Sequence, residues 1–347
     1  MTKIKILITA ANGNTGFPAA KELLRLGFVV RAFVRNSQSE KAIELKKLGA
    51  EIFIGNIQDI RDVRESLKGI ERAYFIPTYP NVLFQGATFA TAVYEMRIKN
   101  VVVLTQWLSS NTHPSVYTKE HWLVDQTFKR LQNTNVTYLN PGLFASVYFM
   151  MPEPMLQFGI MPDFGINAPP SNEDIGMVAA HVLKNPEPHL GKSYRVTSNT
   201  LLNPQEMANI IGKVVGRKIK IQKLPESMML KMFRAYGFHQ RDASQIIHYV
   251  RDGQNGVFAI NSPTSVVKDI VGKEADDFEI ITRRYLKNNP MVKQTLSNKI
   301  KTMGFMMKAM MTAKWNMKQY ERKQGFPNFS NMLLSNDSEE WNTTHSK

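Results

Sequence analysis

The chain has 347 residues, of which 43% are hydrophobic, enough to bury one large core or two smaller ones. It contains no cysteine, which excludes disulfides, thiolate metal sites and cysteine nucleophiles. Lys and Arg number 44 against 29 Asp and Glu, and the net charge of +15 would suit anionic small molecules, nucleic acid or a membrane surface.

Residues 4–8 form a short apolar run that reads as a buried strand. Lys3 and Lys5 give it a trace of a signal peptide, but it is short and ends in a glycine turn. No apolar run is long enough to span a bilayer, and a cytoplasmic protein is expected. The strand passes into Thr9-Ala10-Ala11-Asn12-Gly13-Asn14-Thr15-Gly16, then Pro18 and a helix-forming run. Strand, glycine turn and helix open a dinucleotide-binding unit. Glycine lets the backbone approach a pyrophosphate, and the helix N-terminus offers free N–H groups and the positive end of its dipole. Thr9, Ala11, Asn12, Gly13, Asn14, Thr15 and Gly16 are therefore cofactor-binding candidates. Ala10 stands where a first glycine is usual.

A second strand covers residues 28–35. An acidic residue closing this strand marks a preference for NAD, through the ribose 2′-OH. Here Arg35 holds the place, with Lys41 as a second cation. A guanidinium suits a 2′-phosphate, so NADP(H) is favoured over NAD(H). Helix and strand then alternate: a helix at 39–48, a strand at 51–54, a helix through Val63 and Leu67, a strand at 72–76, a helix at 82–96 and a strand at 101–104. This repetition predicts a parallel, doubly wound sheet. Ligands in such sheets lie outside the carboxyl ends of the strands. The loops holding residues 10–16, 35–37, 56–58, 76–79 and 105–110 should converge on one crevice, adding Asn56, Ile57, Pro77, Thr78, Thr105 and Gln106 to the candidates.

A helix at 119–131 and a strand at 136–139 follow. From Met150 the chain turns rich in proline and methionine, as expected of a region closing over the crevice. Asn172 is a candidate N-cap, 193–197 a returning strand, Asn203 the start of a capped helix ending near Gly216, and 218–221 another strand. The expected division is a dinucleotide-binding domain at 1–150, a substrate lobe at 151–286 with segments returning to the first sheet, and a basic, Met-rich helical extension with a polar tail at 287–347. A small-molecule substrate would sit between the lobes.

Several stretches together resemble the NmrA-like branch of the atypical short-chain dehydrogenases/reductases. They are Leu7 to Gly16, Val30-Arg31-Ala32-Phe33-Val34-Arg35, Gly49-Ala50-Glu51, Gly55-Asn56-Ile57-Gln58-Asp59, Leu139-Asn140-Pro141-Gly142-Leu143-Phe144 and Glu173-Asp174-Ile175, over roughly residues 1–285. The resemblance implies a Rossmann-like domain with a smaller α/β substrate lobe and binding of NAD(P)(H). It implies one of two functions. One is an oxidoreductase passing hydride to a quinone, enone or carbonyl compound; the other is a non-catalytic NADP(H)-sensing regulator that binds a protein partner. The chain departs from the family at Ala10, at Asn56 (an aspartate near the adenine) and at Asn140 (an arginine).

Short-chain reductases use Tyr-x-x-x-Lys, where the lysine lowers the tyrosine pKa and the tyrosine supplies a proton. The nearest match is Tyr117-Thr118-Lys119-Glu120-His121. Tyr117 and His121 lie one turn apart on one helix face and are the catalytic candidates; Lys119 has the wrong phase. The alternative is that both belong to an ordinary helix start. His113, His181, His189, His239, His248 and His345 lack metal-ligand spacing and read as surface or half-buried residues. Asp125 with Lys129, and Asp269 with Lys273, read as plain helix pairs.

From Lys287 to Lys323 nine basic residues face one acid, Glu321. Within this stretch Val292, Leu296, Ile300, Met303, Met307 and Met310 recur at helical spacing, with Met306, Met311 and Trp315 widening the apolar side. The stripe is expected to pack as a lid over the substrate lobe or against a homodimer partner. Basic amphipathic helices can also lie on membrane surfaces, an alternative not favoured here. The chain carries neither a helix-turn-helix signal nor a basic patch with stacking aromatics, so nucleic acid is not expected. The polar stretch from Ser335 is expected to fray.

Overall fold

The computed structural model describes residues 4–325, 327 and 329–345. The chain alternates β1 (Lys5–Ile8), α1 (Gly16–Arg25), β2 (Val29–Val34), α2 (Glu40–Lys47), β3 (Glu51–Ile54), α3 (Ile60–Leu67), β4 (Arg72–Phe75), α4 (Val82–Glu95), β5 (Asn100–Leu104), α5 (Val116–Lys129) and β6 (Asn135–Leu139). It continues through α6 (Glu153–Phe158), β7 (Ile160–Pro162), α7 (Asn172–Lys184), β8 (Ser193–Tyr194), α8 (Pro204–Val215), β9 (Lys220–Gln222), α9 (Glu226–Tyr236) and α10 (Gln240–Gln254). The last helices are α11 (Val266–Val271), α12 (Phe278–Leu286), α13 (Leu296–Met311), α14 (Met317–Lys323) and α15 (Glu339–His345).

Seven strands form a parallel sheet in the order β3-β2-β1-β4-β5-β6-β8. Central strands of such a sheet are covered on both faces, so they read as continuous apolar runs; Ile6, Leu7 and Ile8 are all fully buried. One face packs on α1, α2 and α7 through Leu23, Leu45 and Val178. The other packs on α3, α4 and α5 through Val63, Phe89 and Phe128. The strand order reverses between β1 and β4, which places the ligand crevice at their carboxyl ends. A second apolar cluster joins Trp107, Leu143, Tyr148, Met207, Phe258 and Phe278 beyond those ends. There β7 and β9 form a separate two-stranded parallel ribbon.

The structure corrects several sequence expectations. Helix α5 starts at Val116, capped by the Ser115 side chain, rather than at 119. Ser171, not Asn172, caps α7; its hydroxyl accepts from the Asp174 amide at 2.9 Å, while Asn172 donates to the Tyr285 hydroxyl at 2.8 Å. The strand expected at 193–197 is two residues long, and the one expected at 218–221 covers Lys220–Gln222 and pairs with β7. The capping box at Asn203 is present, and α8 ends at a left-handed Gly216.

The C-terminal region departs furthest. Helix α13 packs on α9 and α6 through Thr302 and Ala309, which are buried, with Phe305 and Met306 half-buried beside them. The side chains of Lys308 on α13 and of Lys231 and Arg234 on α9 donate across this contact to the carbonyls of Ala235, Met310 and Ala313. Within the chain the stripe does not close over the substrate lobe: Leu296, Ile300, Met303, Met307 and Met310 are all exposed. Apolar spacing located the helix but not its inner face, because the two residues buried at its centre, Thr302 and Ala309, are small and lie off the large apolar stripe. The tail after Ser335 is docked rather than frayed. Trp341 is buried, donates its indole N–H to the Trp107 carbonyl at 3.0 Å and stacks on His345.

Candidate functional site

The glycine turn is built around one carbonyl. Ala10 takes a left-handed conformation (φ +46°), which an alanine adopts at some cost. Its carbonyl then accepts from the Gly13 amide at 2.8 Å. A Cβ at Gly13 would lie 2.9 Å from that oxygen and one at Gly16 only 2.4 Å away, so both glycines are needed for the approach. Among the described residues, the amides of Asn12, Asn14 and Thr15 have no backbone or side-chain acceptor, and they sit at the N-terminus of α1. Helix α7 braces the turn from behind, since a Cβ at Gly176 would meet the Thr15 carbonyl and the Pro18 ring, each at 2.7 Å. The Thr9 hydroxyl is committed to β4, accepting from the Ile76 amide at 2.7 Å, and Ala11 is wholly buried.

Arg35 follows β2 and is exposed, with no hydrogen bond or ion pair of its side chain among the described residues. Lys41 donates to the Asn14 side chain at 3.2 Å, and Asn12 donates to the Ser39 hydroxyl at 2.9 Å. Two cations and the glycine turn thus share one corner. Asn56 is exposed, and its side-chain carbonyl accepts from the Gln58 amide at 3.1 Å; Ile57 beside it is buried. The loop holding Pro77 and Thr78 is clamped by buried Gln85, which bonds Thr78 in both directions. Gln106 donates to the Tyr79 hydroxyl at 3.1 Å and accepts from Thr118 at 3.3 Å.

Beyond the ends of β4, β5 and β6 lies a mainly apolar cavity of about 440 Å³, lined by both catalytic candidates and by Pro77, Thr105 and Gln106. Phe144, Val147 and Met150 form one wall, and Phe238, Asp242 and Tyr249 another. Sequence reading missed Tyr79, Asp242 and Tyr249. Tyr79 stands next to two named candidates, whereas α10 lies far along the chain and carries no motif.

Tyr117 packs tilted against Tyr79, with ring centroids 4.1 Å apart, and lies under the Arg241 guanidinium. Its hydroxyl donates to Asp242 at 3.2 Å. Burial and then the Asp242 carboxylate push the phenol well above its ordinary pKa. His121 is buried with Nδ1 unpartnered, and burial alone pulls its pKa down to about 3. At neutral pH it is an uncharged imidazole, which rules out an imidazolium acid. Lys119 is outside the cavity and donates to the Pro327 carbonyl at 2.7 Å. None of the described residues lining the cavity is a lysine.

Asp125 is no surface helix pair. It is buried and accepts from the Thr105 and Ser109 hydroxyls at 2.8 and 2.7 Å, and burial raises its pKa to about 7. Lys273 pairs with Asp174 and Asp276, not with Asp269, which accepts from Ser265. His113 and His248 are buried rather than peripheral. His113 pairs with Asp252 at 2.9 Å and His248 with Glu321 at 2.7 Å.

A doubly wound parallel sheet with a glycine turn at its switch point defines a Rossmann-like α/β protein. The model of the NmrA-like family matches residues 2–277, and the chain belongs to that family. An NmrA-like family domain-containing protein from Dictyostelium discoideum is 24% identical over 268 residues, covering 67% of this chain and 88% of that protein. Among solved structures, a triphenylmethane reductase from Citrobacter sp. superposes with a TM-score of 0.69 at 20% identity, covering 82% of this chain and 100% of that one. An NADPH-dependent quinone oxidoreductase from Escherichia coli, complexed with NADPH, gives 0.70 at 19% identity, covering 80% and 99%. No helix among the described residues is long and apolar enough to cross a membrane.

Proposed function

We propose that this chain is an NADP(H)-dependent oxidoreductase acting on an apolar quinone, enone or carbonyl compound. The observation that carries the reading is the apolar cavity at the carboxyl ends of β4, β5 and β6, with three protonated phenols, Tyr79, Tyr117 and Tyr249, in its wall. The glycine turn fits a pyrophosphate: two positions admit no Cβ, and three amides are free at a helix N-terminus. Arg35 and Lys41 fit a 2′-phosphate. Two solved structures of similar fold are reductases, one of them complexed with NADPH. When bound, NADPH supplies the hydride.

The chain's own residues do the rest. Gln106 and Tyr79 fix each other at the mouth of the cavity. The aromatic and aliphatic walls exclude water and hold a flat substrate. Tyr117 stays protonated across the neutral range, and its hydroxyl, swung from Asp242 onto a substrate oxygen, donates a hydrogen bond to the developing oxyanion. His121, neutral, serves as a polar wall rather than as an acid. NADPH consumption over a panel of quinones, enones and carbonyl compounds tests the reading. Turnover that obeys saturation kinetics supports it. Saturable NADPH binding without turnover across the panel, joined to ligand-dependent partner binding, would assign the protein to the sensing regulators instead.

A further inference from the structure

Helix α13 presents two faces. With about 100° of rotation per residue, the exposed apolar side chains Leu296, Ile300, Met303, Met307, Met310 and Met311 fall on one stripe, roughly 140° round from the buried contact at Thr302 and Ala309. Exposure within the stripe runs from 53% to 80% of each residue. Six large apolar side chains in one exposed row are far from the scattered single residues normal on a protein surface. Lys299 borders the stripe on one side and Lys301 on the other, while Lys308 is committed to the Ala235 carbonyl. The helix contains no acid. The only acid between Lys287 and Lys323 is Glu321, and it is turned inward onto Ser244 and His248. Met310 also borders an apolar cleft of about 190 Å³ lined by Met151, Met228, Met232 and Met306, so the apolar surface continues inward from the stripe.

We propose that α13 docks this protein on an anionic lipid surface, with the stripe entering the headgroup–acyl boundary and the lysines reaching the phosphates. Charge decides between occupants. A two-fold contact between copies would set lysine rows against lysine rows with no acid to answer them. A polyanion such as nucleic acid would answer the lysines but leave the stripe in water. An anionic bilayer answers both, as amphipathic interfacial helices do.

The test is cosedimentation of the full chain with vesicles of phosphatidylcholine, with and without phosphatidylglycerol, at low and high salt. The wild type should bind the anionic vesicles at least tenfold more tightly than the neutral ones and lose most of that preference at high salt. The double variant Ile300→Ser/Met307→Ser should lose at least tenfold in binding. Lys299→Gln/Lys301→Gln should lose the anionic preference by about fivefold per lysine. Both variants should melt with the wild type, because the replaced side chains are exposed. A lower melting temperature for the serine variant would mean that the stripe is covered in solution, and would overturn the proposal. So would binding unchanged by both variants, or no binding to anionic vesicles. Concentration-dependent self-association abolished by Ile300→Ser/Met307→Ser would overturn it too, assigning the face to a second copy.

Discussion

The Tyr117 hydroxyl donates to the Asp242 carboxylate across 3.2 Å, tying the first turn of α5 to the first turn of α10. The contact is flanked by the buried hydrogen bond from Ser115 to Gln245 and by the ion pair of Arg241 with Glu120. These bonds fix the one phenol in the cavity that an adjacent carboxylate orients. Replacing Tyr117 by Phe should lower kcat by about a hundredfold, the usual scale for losing a hydrogen-bond donor to a developing oxyanion, while NADPH affinity stays within twofold. Asp242→Asn removes an anion that disfavours tyrosinate, so any alkaline limb in the kcat profile should move to lower pH. A limb that stays in place would show that Tyr117 does not titrate in the catalytic step.

Arg35 extends from the end of β2 beside the turn, with its guanidinium uncommitted among the described residues. Arg35→Ala should weaken NADPH about tenfold, the scale of one lost charge-assisted hydrogen bond, and leave NADH nearly unchanged. Calorimetric titration of both nucleotides separates this from a general loss of binding, which would weaken the two equally.

Gly16 tests the turn itself. A methyl there would lie 2.4 Å from the Ala10 carbonyl and 3.0 Å from the Ala11 Cα, both backbone atoms that no rotamer change can move aside. Gly16→Ala should cost about 2 kcal/mol of stability by overpacking and abolish nucleotide binding. Urea unfolding and NADPH fluorescence titration measure the two effects. Near-native binding would show that the chain can reshape this loop.

Asp125 makes stability depend on pH. Its folded pKa is raised to about 7 by burial, against an unfolded value near 3.8. Between those values the folded state holds a proton that the unfolded state has released. Stability from this group is therefore present below pH 4 and lost as pH rises to about 7, by at most about 4 kcal/mol. Asp125→Asn removes the titration. Its stability relative to the wild type should rise from pH 4 to pH 7 and level off above. Urea denaturation at pH 5 and pH 8 reads the change, and an equal difference at both values would contradict the raised pKa.

The sequence by itself determined the parallel sheet, the glycine turn and the cation at the end of β2. These are local: a run of apolar residues makes a covered strand, two glycines three apart admit a close carbonyl, and a side chain closing a strand is placed by that strand. Tertiary structure decided what distant segments supply. Asp242 reaches Tyr117 from 125 positions away. Asp125 reads as one half of an i, i+4 pair until the Thr105 and Ser109 hydroxyls are seen to enclose it. Trp341 anchors a tail whose composition is otherwise that of a frayed end. On α13 the apolar period located the helix but not the face that packs within the chain. Periodicity states that a helix has two faces; which one is buried depends on the shape of the neighbour, and α9 and α6 accept the small side chains of Thr302 and Ala309 rather than the row of methionines.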